Sequence, residues 1–319
     1  IFSYVLFICL YDNSSQLPIM FLWDKSFRLK GFGYYILGSF LIIFFNSLAQ
    51  IPMLYFASWD SITPESNPMD IFNHLSKNFR FFLILLTFAL TAPAIWFIVN
   101  KLHDLPIMSI ITSRKKIDFG RVLYGFSTSA IVVLTSVMIT YFISPENYEF
   151  NFRVKEFLIL AIIAILLVPI QTTVEEVVFR GYLMQGFGHW LNSRFMALFL
   201  TSSVFGLLHL ANPELSKLGN SFILIYIIGS FNLGIMTLMD DGLELALGFH
   251  AANNLFIALL VTANWTAFQT DSIFIDISDP KLGLIDFISP FIVYPIILII
   301  FSKKYSWTNW KGKLFSKVR

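Results

Sequence analysis

The chain has 319 residues, 56% hydrophobic and 17% aromatic but only 13% charged, with a mean hydropathy of +0.72. Soluble domains carry about 25% charged residues, so the composition excludes a soluble globular enzyme and predicts an all-α polytopic transmembrane helix bundle, helices being how such a chain satisfies its backbone in lipid. The formal net charge of +2 decides nothing as a sum, and the single cysteine, Cys9, excludes an intramolecular disulfide and a cysteine metal cluster.

The chain opens on Ile1, and Met20, ahead of the basic stretch Lys25, Arg28 and Lys30, reads as an initiator. Residues 1–10 are too short to span and lack a basic lead, so they read as neither signal peptide nor transmembrane helix. A span needs about 20 mainly apolar residues. That rule predicts eight, at 33–56, 80–99, 122–144, 156–179, 195–211, 221–239, 243–263 and 284–301. The fourth is ambiguous, because its helical pattern runs on from Phe157 through Val174 to Trp190. That is too long for one span, and Pro169 either kinks it or marks a division into two half-depth helices. Three regions follow: 1–150 with three spans and no recognised motif, 151–265 with the unusual polar residues, and 266–319 with the last span and a basic tail. The tail, 302–319, reads as a surface segment suited to anionic lipid.

Lysine and arginine near span ends set orientation. With the N-terminus inside, Lys25, Arg28, Lys30, Lys101, Arg114, Lys115, Lys116, Arg121, Arg180, Arg194 and the six basic residues of the tail are inner, 16 of 22. Lys77, Arg80, Arg153, Lys155, Lys217 and Lys281 are outer, beside acidic residues such as Asp60, Glu65, Asp70, Glu146, Glu149, Asp271, Asp276 and Asp279. The expectation is an integral membrane protein with both termini cytoplasmic, in contact with membrane lipid and not with nucleic acid.

Within this apolar chain, Glu175, Glu176 and Arg180 stand close together. An ionisable group inside a membrane costs about 2.5–3.5 kcal/mol on insertion scales, so such groups pair, line a wet cavity, or do chemistry. His209 follows in Phe205-Gly-Leu-Leu-His209, and His250 in His250-Ala-Ala-Asn-Asn254. Residues four apart share a helix face while adjacent ones point about 100° apart. Glu176 therefore pairs with Arg180, and Glu175 turns elsewhere, free to act as general base for water. The same spacing puts His250 and Asn254 on one face, as N–H donors to an oxyanion, or with His250 as a metal ligand and Asn254 orienting a carbonyl. Each feature has a plainer reading: Glu176 with Arg180 as a structural ion pair, and His209 or His250 alone as a satisfied core histidine. Phe179 and Phe205 read as packing, His74, His103 and His189 as loop or interface residues, and Asp240, Asp241 and Glu244 as the N-terminal cap of the seventh span.

The order Glu-Glu-x-x-x-Arg, Phe-x-x-x-His and His-x-x-x-Asn, each on its own membrane helix, resembles the CAAX protease and bacteriocin-processing (Abi) family of intramembrane proteases. The Ras-converting enzyme, a type II CAAX prenyl endopeptidase, is of that group. The resemblance covers about 156–263. It implies an endopeptidase of a bacterial inner (plasma) membrane acting on a membrane-associated protein or peptide substrate, prenylated or bacteriocin-like. In it Glu175 activates water assisted by His209, Glu176 and Arg180 support the site, and His250 with Asn254 stabilises the oxyanion. Members of the family have been described both as metalloproteases and as glutamate-dependent enzymes. A divalent metal, zinc, is therefore kept as a candidate cofactor with Glu175, His209 and His250 as candidate ligands, although no His-Glu-x-x-His motif is present. The residues alone also fit a proton- or cation-coupled transporter, and the fold a non-catalytic scaffold or immunity protein.

Overall fold

The computed structural model describes residues 31–59 and 70–318. Cys9, Met20, the basic stretch Lys25, Arg28 and Lys30, and the acidic Asp60 and Glu65 lie outside the described residues. In chain order the helices are α1 (Phe32–Ala49), α2 (Ile51–Tyr55), α3 (Lys77–Phe97), α4 (Phe119–Ile143), α5 (Val154–Glu176), α6 (Met184–Leu191), α7 (Arg194–Leu207), α8 (Pro213–Leu218), α9 (Ile223–Asp240), α10 (Glu244–Leu260), α11 (Leu284–Tyr305) and α12 (Trp310–Phe315). Seven helical segments are long and apolar enough to cross a membrane, and α10, at 17 residues, is a shorter apolar helix. The protein is an all-α polytopic bundle at the eight positions expected. Several helices begin where a side chain satisfies a backbone N–H left open at the helix start. Ser76 Oγ accepts from Phe79 N at 3.4 Å, Asp118 Oδ1 from Arg121 N at 3.2 Å and Ser193 Oγ from Met196 N at 3.2 Å.

The ambiguous fourth segment is continuous. Val154–Leu191 is a single helical run of 38 residues, roughly 57 Å at about 1.5 Å per residue, against a hydrocarbon core of about 30 Å. Pro169 does not divide it: the Thr172 and Thr173 hydroxyls donate to the Val168 and Pro169 carbonyls at 3.1 and 2.6 Å, supplying hydrogen bonds around the proline. The irregularity falls later, as a wider π-helical turn at Val177–Leu183 joining α5 to α6. Such turns are often found at functional sites.

Three short strands, β1 (Tyr148–Phe150), β2 (Val261–Thr262) and β3 (Phe274–Asp276), form a small sheet in the order β1-β3-β2. β1 runs antiparallel to β3 with Tyr148 opposite Asp276, and β2 runs parallel to it. β1 and β3 fall in stretches expected as loop, while β2 falls in the last residues of the expected span 243–263, whose helix ends at Leu260; two or three residues are too few to show an alternating pattern. At the opposite end of the bundle the expected cap of α10 is replaced by a charge network. Leu243, not an acidic residue, precedes α10, and no side chain caps it. Arg114 instead joins Asp240 at 3.2 Å and Glu244 at 3.1 Å, while Arg121 joins Asp118 at 3.1 Å and also Asp240.

The basic tail closes that network rather than lying free. Trp307 Nε1 donates to Asp240 Oδ1 at 3.0 Å, Lys313 Nζ meets Asp241 Oδ2 at 2.6 Å, and Leu314 is buried. Deep in the bundle α10 lies hard against α4. A β-carbon at Gly125 would overlap the Leu245 carbonyl oxygen, and one at Gly248 the Val122 carbonyl oxygen. Small residues permit this close approach of helices in membranes. It fixes the face of α10 that carries His250 and Asn254 toward α5.

Candidate active site

The last turn of α5 and the π-helical turn carry the acidic pair and its arginine. Arg180 Nη1 donates to Glu176 Oε1 at 2.7 Å, as the i,i+4 spacing predicts, and both side chains are 0% exposed. The guanidinium is further held by Ser230 on α9, whose Oγ and carbonyl oxygen accept from Nη2 at 2.7 and 3.2 Å. The Phe205 ring lies 4.6 Å from its centre. A buried cation of this kind is tolerated when it is paired and hydrogen-bonded. Phe205 is therefore more than packing: it contacts the cation edge-on to Phe179 and borders both histidine rings.

The two glutamates do not part company as adjacent helical residues were expected to. His250 lies between them, Nδ1 2.7 Å from Glu176 Oε1 and Nε2 3.6 Å from Glu175 Oε2. An ionised carboxylate only accepts, so Nδ1 carries the hydrogen toward Glu176, and in the neutral tautomer this leaves Nε2 with the lone pair. The second distance is too long for a hydrogen bond. Glu175 Oε2 and His250 Nε2 thus approach closely without a direct hydrogen bond. The Glu175 side chain is 15% exposed against 0% for Glu176, so Glu175 is the one within reach of water.

Asn254 lies one turn beyond His250. Its Nδ2 donates to Gln171 Oε1 at 3.2 Å and its Oδ1 accepts from Asn253 at 3.1 Å. His209 comes from another element. It sits on a tight 3₁₀ turn that ends α7, Nδ1 2.8 Å from the Phe205 carbonyl oxygen, its ring stacked 4.2 Å from Tyr226. The backbone carbonyl accepts, which again leaves Nε2 with the lone pair.

Glu175, Glu176, Arg180 and His250 therefore form one contiguous group, Asn254 lies one turn from His250 and donates to Gln171, and the Phe205 ring borders both His209 and His250. Zinc sites in proteins take three or four ligands. Among the described residues no group of three His, Cys, Asp or Glu side chains is placed to hold an ion. The residues as arranged do not fit a metal centre. Sequence reasoning missed Gln171, Ser230 and Tyr226. Gln171 alone gave a signal, as a polar residue one turn before Glu175 in an apolar run; the other two lie on a different helix from the groups they touch. His103, read as an interface residue, is instead buried, its Nε2 2.8 Å from Tyr182 Oη beside the Tyr35 ring.

Residues 154–256 match the family model described as type II CAAX prenyl endopeptidase Rce1-like. The matched stretch begins with α5 and ends just past Asn254, so it holds every residue of the group above. The uncharacterized protein YyaK of Bacillus subtilis (strain 168) is 32% identical over 171 residues, which cover 53% of this chain and 57% of that protein. No solved structure matches the chain. The family match supports a protease, and the apolar helices an integral membrane protein.

Proposed function

We propose that the protein is an intramembrane endopeptidase that hydrolyses a peptide bond of a membrane-associated substrate, prenylated or bacteriocin-like, through a water activated by Glu175. The observation that carries this reading is the close approach of Glu175 Oε2 and His250 Nε2, 3.6 Å apart. A water oxygen about 2.8 Å from each would give a hydrogen to both, which is the geometry a general base needs.

In this mechanism Glu175 takes the proton as the water attacks the scissile carbonyl. The Nδ2 hydrogen of Asn254 not given to Gln171 meets the developing oxyanion. Glu176 holds the His250 ring in one tautomer, as the carboxylate of a catalytic triad holds its histidine, and Arg180 neutralises Glu176. The protein lies in a bacterial plasma membrane with both termini cytoplasmic. A reporter that works only in the cytoplasm should be active when fused at the C-terminus and silent within 264–283, and the reverse pattern would overturn this topology.

The test is cleavage of quenched fluorescent peptides, one with a farnesylated C-terminal end and one unmodified and apolar, by purified protein in detergent. Glu175→Gln keeps size and hydrogen-bonding capacity but accepts no proton, so turnover should fall by roughly 10²–10⁴-fold with the melting temperature little changed. Near-normal turnover removes Glu175 as base. Loss of wild-type activity with a chelator and its return with zinc would replace the mechanism with one in which Glu175, His209 and His250 act as ligands.

A further inference from the structure

Arg180 and Glu176 pair through one hydrogen bond where two are open to them. A guanidinium and a carboxylate frequently meet as a fork, two nitrogens to two oxygens in parallel. Here Nη1 alone donates to Glu176, at Oε1. Glu176 Oε2 and Arg180 Nε have no hydrogen-bond partner among the described residues. Both side chains are fully enclosed, so competition from bulk water is not what holds the pair in its single form.

Ser230 is what takes the second nitrogen away. Nη2, which a fork would bring to Glu176 Oε2, donates instead to Ser230 Oγ at 2.7 Å and to the Ser230 carbonyl oxygen at 3.2 Å. Ser230 is 1% exposed on α9, 50 positions from Arg180 in the chain. The consequence falls on the far side of Glu176. Its Oε1 is shared between Arg180 Nη1 and His250 Nδ1, each at 2.7 Å. A carboxylate turns as a rigid unit, so bringing Oε2 onto Nη2 to complete the fork moves Oε1 relative to both of its donors. The guanidinium, then bonded twice, keeps its hold, and the imidazole loses its acceptor.

We infer that Ser230 is a positioning residue: by occupying Arg180 Nη2 it keeps the Glu176–Arg180 pair single and leaves Glu176 Oε1 directed at His250 Nδ1. For its effect on turnover the inference rests on the proposed peptidase reading. It adds a requirement of its own, that His250 loses its carboxylate when a neutral hydroxyl on another helix is removed, although Glu176, Arg180 and His250 are all intact.

The experiment compares wild type, Ser230→Ala and Ser230→Thr of the full-length protein in detergent. It records kcat, KM and melting temperature with the same peptides, and by proton NMR the low-field resonance of the His250 Nδ1 hydrogen, assigned by its loss in His250→Gln. Ser230→Ala leaves Nη2 only the longer contact, to the carbonyl. It should lower kcat roughly 10-fold, the worth of one hydrogen bond to a charged group, with KM within about threefold of wild type, and its Nδ1 resonance should move upfield or broaden. Ser230→Thr keeps the hydroxyl and should restore both. Near-normal kcat in Ser230→Ala, or a loss of kcat with the resonance unchanged, overturns the inference. Should Ser230→Thr not fold, the resonance of Ser230→Ala decides. If wild type cleaves neither peptide, the proposed function has failed instead, and the same resonance still decides the positioning role: a displaced signal in Ser230→Ala supports it, and an unchanged one overturns it.

Discussion

The ion pair between Glu176 and Arg180 should be worth more to stability as a pair than either member is alone. Both side chains are fully enclosed, and Glu176 Oε1 accepts from Arg180 Nη1 and from His250 Nδ1, each at 2.7 Å. Glu176→Gln leaves an oxygen to accept but removes the charge. It also puts an amide NH₂ where Glu176 Oε2 has no hydrogen-bond partner. The guanidinium stays protonated and becomes an uncompensated buried cation, a change that costs about 3–5 kcal/mol when one partner of such a pair is removed. Adding Arg180→Met removes the stranded charge and fills its volume with an apolar side chain. The double variant should therefore recover part of the loss, with a coupling of about 1–3 kcal/mol between the sites. Turnover should stay low in it, because His250 Nδ1 has still lost its charged acceptor. Unfolding of the four proteins in detergent, followed by circular dichroism beside the peptide assay, measures both quantities. Additive losses of stability would refute the coupled charge pair. Turnover that returned together with stability would refute the role given to the contact between Glu176 and His250.

Gly248→Ala brings a β-carbon onto the Val122 carbonyl oxygen, a backbone group that moves only with its helix. It should cost about 1–3 kcal/mol, as overpacking does, and lower turnover by shifting α10 and His250 on it, whereas normal melting and normal turnover would show that the close approach of α4 and α10 is not needed. Glu214, on α8, is 8% exposed, and burial holds its carboxyl above the usual carboxylate range despite the Ala267 N–H that donates to it. The folded state then binds the proton more tightly than the unfolded chain. Stability is full below the unfolded pKa and falls as pH rises through the folded one. Glu214→Gln keeps an oxygen for Ala267 and removes the charge, so it should raise the melting temperature at neutral pH, with the gain vanishing near about pH 4. An equal gain at both pH values would mean that ionisation is not the cause.

What the sequence made legible follows from the range of each interaction. The eight apolar segments and the Glu176–Arg180 pair are local patterns, set by hydropathy and by the 3.6-residue turn. The meeting of His250 with both glutamates depends on how α10 packs against α5, 74 positions away from Glu176, and no spacing rule reaches that far. Helical geometry alone assigned Glu175 and Glu176 to different surfaces. That held for their access to water but not for their partner, because an imidazole presents nitrogens on two sides and bridges a 100° separation. Arg180, counted among the inner basic residues, is fully buried in the bundle and bears on orientation no longer. The acidic residues at 240–244 were read as a local cap because their partners Arg114, Arg121, Trp307 and Lys313 lie on other elements.

The two histidines show why a shared motif does not give them a shared task. Each has Nδ1 committed to an acceptor, but the acceptors differ: a carboxylate behind His250, a neutral carbonyl behind His209. Charge gained at a ring is met by countercharge only where a carboxylate stands behind it. His250 also faces Glu175, while His209 faces Tyr226. In the proposed reaction the proton traffic then belongs to Glu175 and His250. His209, bordered by the Phe205 ring and partly exposed, has no such countercharge behind it.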